Sequence, residues 1–119
     1  MAADPIIRAP ELKLETERIH TETIVRGTGR ITSDTSATLE SVLRDLIPER
    51  KRIVLDLTGI EYIDSSGLGT LVGVYAHAKR ASCDLEIANP KQRIRDLFRL
   101  TRLDSVFKGR EELLGMTPD

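Results

Sequence analysis

Hydrophobic and polar residues change their spacing along this chain, and each change marks a new element. Leu12 and Leu14 alternate with charged neighbours, as on a half-buried strand. The stretch from Ile19 to Arg26 is rich in β-branched residues (Thr21, Thr23, Ile24, Val25), which favours a second strand. A short link at Glu17-Arg18 is expected to join the two as a hairpin, and Gly27 and Gly29 to end the second. From Ser33 the period lengthens. Leu39, Val42, Leu43 and Leu46 fall at i, i+3, i+4 and i+7, one face of a helix with Ser33 or Asp34 as its N-cap. Glu40 and Arg44 form a favourable i, i+4 pair on it, and Pro48 follows its end.

Ile53, Val54, Leu55 and Leu57 then form a nearly unbroken apolar run, which reads as a central strand broken by Gly59. A helix is expected over 66–80, with Leu68, Leu71, Val72 and Tyr75 on one face and Lys79 and Arg80 in its last turn. Residues 84–88 (DLEIA) read as a strand ended by Asn89-Pro90, and Ile94, Leu97 and Phe98 as a short helix. A brief strand over 105–108 and a short helix over 110–114 complete the pattern, and residues 1–10, with two prolines, read as a lead-in to a domain over 11–119. Strands alternating with helices after an opening hairpin predict an α/β fold. Its expected form is a mixed four- to five-stranded sheet with about four helices packed against it.

Composition narrows the function. The chain has 119 residues, enough for one domain with its own core. Aromatics are 3% and Trp is absent, so the core must be aliphatic, and stacking platforms for single-stranded nucleic acid are lacking. A net charge of −1 leaves no excess of cations for a phosphate backbone. The one locally basic stretch holds Lys91, Arg93, Arg95, Arg99 and Arg102, and reads either as a solvated helix face or as a docking patch for an acidic partner. A single cysteine, Cys83, excludes an internal disulfide and reads as a small buried or half-buried residue. With His20 and His77 far apart in sequence, no metal site is expected. The first ten residues do not resemble a signal peptide, and no run approaches the ~20 apolar residues of a membrane span. A cytoplasmic protein without membrane or nucleic-acid partners is expected.

The informative motif is Asp64-Ser65-Ser66-Gly67-Leu68-Gly69, directly after the central strand and at the start of a helix. Strand ends of this kind are where open α/β sheets place their sites. Asp64 or Ser65 can simply cap the helix, and Gly67 and Gly69 can simply let it approach the sheet. The same geometry also suits a phosphate on a serine, since a helix N-terminus offers free N–H donors and positive partial charge. Enzymatic readings match poorly. A nucleophile elbow needs a glycine two residues before its serine, and neither Ser65 nor Ser66 has one. Gly67, Gly69 and Gly73 lack the Lys of a P-loop and the third-glycine spacing of a dinucleotide fingerprint.

The stretch RIVLDLTGIEYIDSSGLGTLVGVYAHAKR resembles the central strand, phosphorylatable loop and second helix of the STAS domain, and in particular those of bacterial anti-sigma factor antagonists. Gly29-Arg30-Ile31 and the segments DLEIANPKQRIRDLFRL and LTRLDSVFKG extend the likeness over about residues 11–114. The resemblance implies a non-catalytic, cofactor-free regulator. It would bind an anti-sigma factor serine kinase, be inactivated by phosphorylation at Ser65, and be restored by a PP2C-type phosphatase. It implies a partner surface of Thr32, Asp34, Asp64, Ser66, Gly67 and Leu68, on a monomer or weak dimer. Where the family often has Asp after its first glycine, this chain has Thr32, with Asp34 two residues later, and Arg30 replaces a common Glu. The alternative role of the same fold is a scaffold in a stress-sensing or membrane-transport complex.

Overall fold

A computed structural model describes residues 11–107. Strand β1 (Leu12–Ile19) and strand β2 (Glu22–Ile31) form an antiparallel hairpin. The link is His20-Thr21, not Glu17-Arg18: Glu17 pairs with Ile24 and Arg18 with Thr23, so both are still in the strand. His20 takes the turn with φ 56, a conformation tolerated better by His than by bulkier residues. Nor do the glycines end β2. Gly29 sits at φ 117, and a Cβ there would lie 2.1 Å from the carbonyl oxygen of Glu11, so only glycine lets the strand pass.

Helix α1 (Ser36–Leu46) starts later than expected, with Thr35 as N-cap in place of Ser33 or Asp34. It buries Leu39 and Leu43, and Val42 and Leu46 pack at the edge of the core. The Glu40–Arg44 ion pair forms at 2.9 Å, and Pro48 lies in a 3-10 turn (Ile47–Glu49) directly after the helix. Strand β3 (Arg52–Ile63) runs through Gly59, where pairing with β2 shifts register and then resumes. Helix α2 (Ser65–Arg80), strand β4 (Asp84–Ala88) and helix α3 (Gln92–Leu100) follow as the period predicts. Val72 is the exception on α2, being 36% exposed, while Val74 and Ala78 join Leu71 and Tyr75 on the buried face. Residues 105–107 belong to a 3-10 turn (Leu103–Ser105) and its exit rather than to a strand. Phe107 is drawn inward there by edge-to-face contacts with Tyr75 and Phe98, ring centroids 5.4 and 5.2 Å away. The helix expected over 110–114, the lead-in over 1–10 and Lys108 lie outside the described residues.

Among those residues the sheet has four strands in the order β1-β2-β3-β4, antiparallel at the first pair and parallel at the other two. Its core is mainly aliphatic, with Tyr75, Phe98 and Phe107 at one side: Val25, Ile53, Leu55, Leu57, Leu71 and Ile87 are each at most 1% exposed. On the opposite sheet face Arg52 bonds Glu22 (3.0 Å), Glu86 and, at longer range, Asp84 (3.9 Å). That pairing keeps the 3%-exposed Glu86 compatible with burial.

Candidate functional site

Parallel pairing makes β2 and β3 finish side by side, with Ile31 opposite Ile63. Each strand then turns into a helix, so the two turns meet at one end of the sheet. The backbone N–H of Asp64 donates to the carbonyl of Ile31 (3.1 Å). The Asp64 carboxylate does two things. Oδ1 accepts from the N–H of Gly67 (2.8 Å), capping α2, and Oδ2 accepts from the N–H of Ser33 (3.1 Å) in the other turn. One side chain therefore satisfies a helix-end donor and clamps the two turns together.

Gly67 completes the junction. It is buried, and a Cβ on it would lie 2.2 Å from the carbonyl oxygen of Ile31. The first turn of α2 thus rests on main chain, and the D-x-x-G spacing places the cap and the contact point one turn apart. Gly69 faces open space, so the close approach expected of both glycines belongs to Gly67.

Hydroxyls hold the other turn. Thr35 Oγ donates to the carbonyl of Arg30 (2.8 Å) and accepts from the N–H of Thr32 (2.9 Å). Ser36 Oγ donates to the carbonyl of Thr32 (2.6 Å), and Thr32 Oγ accepts from the N–H of Asp34 (3.3 Å). The structure therefore brings Thr32, Asp34, Asp64, Ser65, Ser66 and Gly67 to adjoining turns, while Leu68 is half-buried against the core. Sequence reasoning missed two site residues: Ser33, whose N–H ties the turns together, and Thr35, whose hydroxyl shapes the β2–α1 turn. The dense run Thr32-Ser33-Asp34-Thr35-Ser36 was the available signal, because such residues bond nearby backbone.

Ser65 and Ser66 are the first two residues of α2, and both are exposed. Neither hydroxyl has a hydrogen-bond partner among the described residues, so each is open to a reagent. No imidazole reaches them. His77 is about 18 Å along α2 at 1.5 Å per residue, and His20 lies at the opposite end of β2. Among the described residues no three His, Cys, Asp or Glu side chains gather as a metal site, and no helix is long and apolar enough to cross a membrane. Cys83 lies before β4, buried, with its thiol pushed up by burial and by the charge of Asp84.

Comparison with known proteins supplies the context. The family model described as the STAS domain matches residues 13–114. An anti-sigma factor antagonist from Mycobacterium paratuberculosis superposes with a TM-score of 0.72 at 23% identity, covering 87% of this chain and 89% of that one. The unphosphorylated form of the anti-sigma factor antagonist SpoIIAA gives 0.68 at 16% identity, over 82% and 88%. The phosphorylated form of SpoIIAA, a Bacillus cell fate determinant, gives 0.63 at 17% identity, over 83% and 90%. At these identities the structural likeness speaks for the fold.

Proposed function

The chain belongs to the STAS domain family, and from that premise we propose that it is an anti-sigma factor antagonist switched by phosphorylation at Ser65. The observation that carries the reading is the exposed, unbonded Ser65 hydroxyl at the first position of α2, on a surface shared with the β2–α1 turn. Unphosphorylated, this surface binds an anti-sigma factor serine kinase through Thr32, Asp34, Asp64, Ser66, Gly67 and Leu68, releasing the sigma factor. Ser65 Oγ then attacks the γ-phosphorus of the kinase's ATP, ADP leaves, and the hydroxyl proton passes to the kinase or solvent.

The product carries roughly −1.5 to −2 additional charge at pH 7, set against a net charge of −1 for the whole chain. Helix-end N–H groups and the α2 dipole accommodate that charge within the domain. A partner docked over the same turns meets new bulk and repulsion, and the complex dissociates. A PP2C-type phosphatase resets the switch. In this scheme the chain is a cytoplasmic substrate and regulator with no active site or cofactor of its own.

The test is incubation with ATP and the anti-sigma factor kinase of the same organism, read by mass spectrometry. One phosphate is expected, abolished by Ser65→Ala and retained in Ser66→Ala. Ser65→Asp is expected to weaken the kinase complex at least tenfold, about 1.4 kcal/mol. Phosphate on Ser66 defeats the assignment to Ser65, and a complex indifferent to Ser65→Asp defeats the switch and favours a scaffold role.

A further inference from the structure

The basic helix α3 contributes no residue to the surface proposed for the switch. A groove of about 220 Å³ runs between it and the end of β3, walled by Tyr62, Ile63, Ile94, Leu97 and Leu100, with Arg93 and Asp96 on its rim. Tyr62 is 43% exposed and Leu100 83% exposed, two of the few large apolar side chains that the described residues leave in water. An exposed leucine beside an exposed tyrosine across a groove is a costly surface to leave uncovered.

The charges around the groove are unevenly matched. Lys91 pairs with Glu61, and Arg99 with Asp96 (3.9 Å), while Arg95 donates to Gln92 (2.8 Å). Arg93 contributes to the field that holds the Glu61 carboxyl below its ordinary range, yet neither Arg93 nor Arg30 makes an ion pair among the described residues. Arg30 lies over the ring of Tyr62, its guanidinium carbon 5.2 Å from the ring centroid. With the rim carboxylate of Asp96 paired to Arg99, Arg93 and Arg30 are the cations left to flank an apolar slot sized for one or two side chains.

We infer that this groove is a docking site for an acidic, apolar segment of a protein partner. A Leu or Phe of that segment seats between Tyr62, Leu97 and Leu100, and a flanking carboxylate meets Arg93. Charge complementarity selects the occupant: a basic segment is repelled by Arg93 and Arg30, and an uncharged one gains nothing from either cation. A walled groove also suits a side chain better than a lipid surface, which a flat apolar face would serve. The inference stands apart from the Ser65 switch. Tyr62 precedes Ser65 by three positions, so an occupant would border the switch without requiring it.

The test is a titration of the full chain with a short synthetic peptide in which Glu and Asp alternate with Leu and Phe. Fluorescence anisotropy gives the affinity and amide chemical shifts give the location. Expected are shifts at Tyr62, Leu97 and Leu100, affinity that falls with added salt, and at least a tenfold loss in both Arg93→Glu and Leu100→Asp. Circular dichroism checks that each variant folds. Equal binding of a peptide with Lys in place of its acids overturns the proposal, as do shifts confined elsewhere or no binding.

Two further outcomes reassign the groove and also overturn it. One is a dimer, seen by sedimentation, that Leu100→Asp dissociates. The other is a tenfold gain in peptide affinity in Glu111→Lys/Glu112→Lys, since Glu111-Glu112-Leu113-Leu114 of the chain has the same chemistry. Ser65→Ala, which adds no charge beside the groove, is expected to bind the peptide as the parent does. Failure here therefore leaves the phosphorylation result standing, and the reverse holds too.

Discussion

Two carboxylates, one in the turn after β3 and one within that strand, show how much one side chain can hold. Asp64 caps α2 and reaches across to Ser33, so removing it costs a cap and a tie between turns. Asp64→Ala is expected to lower stability by about 1–2 kcal/mol in urea denaturation, at the upper part of the range for lost caps. Asp64→Asn keeps one acceptor oxygen for Gly67 but sets an amide N–H₂ against the Ser33 N–H, and should fall between. Faster hydrogen exchange at the Ser33 amide separates the lost tie from the lost cap.

Asp56 makes the second case. Burial pushes its carboxyl up, but the Thr58 hydroxyl (2.6 Å), the Thr58 N–H (2.9 Å), the Asn89 amide (3.2 Å) and Arg26 (3.8 Å) outweigh it and hold the group below the ordinary range. With the folded value depressed, the unfolded chain takes up a proton first as pH falls. The stabilisation is complete above the ordinary Asp value of about 3.9 and is lost as pH drops through the lower folded value. Urea midpoints measured from pH 7 to pH 2 should therefore fall less steeply in Asp56→Asn, which starts from a lower midpoint at neutral pH.

At the scale of elements, α2 separates glycines that look alike in sequence. Gly67 presses on the Ile31 carbonyl, whereas Gly69 and Gly73 have nothing within 4 Å of where a Cβ would sit. Gly67→Ala must move main chain and is expected to cost about 1–3 kcal/mol. Gly69→Ala and Gly73→Ala fill open space on a helix and should each gain up to about 1 kcal/mol, from the propensity difference alone. Thermal melts of the three variants check the contrast. The helices themselves were legible because their signal is local: Leu39, Val42, Leu43 and Leu46 need only their own spacing to mark a face. The cap of α1 was not, because the hydroxyl of Thr35 is committed to the Arg30 carbonyl of the preceding strand.

For the whole molecule, the proposed switch depends on where the sheet puts Ser65. The residue sits on the rim, outside the aliphatic core that carries the stability. A negative charge there should alter what docks and spare what folds. Ser65→Asp is accordingly expected to shift the melting temperature by less than about 4 °C, under the shift that 1 kcal/mol produces in a domain of this size. A larger drop, or loss of native circular dichroism, refutes the helix-end argument.

By itself the sequence determined the α/β alternation, the central strand around Leu55 and the DSSGLG turn at the head of a helix, since each is written in neighbouring residues. Only the tertiary structure decided the rest. It carried β3 through Gly59, because pairing with β2 sustains a strand that local propensity would break. It placed the hairpin link at His20-Thr21, because cross-strand register outweighs the polarity of Glu17 and Arg18. And it joined Asp64 to Ser33, residues 31 positions apart, because parallel strands must end together before their turns can share a hydrogen bond.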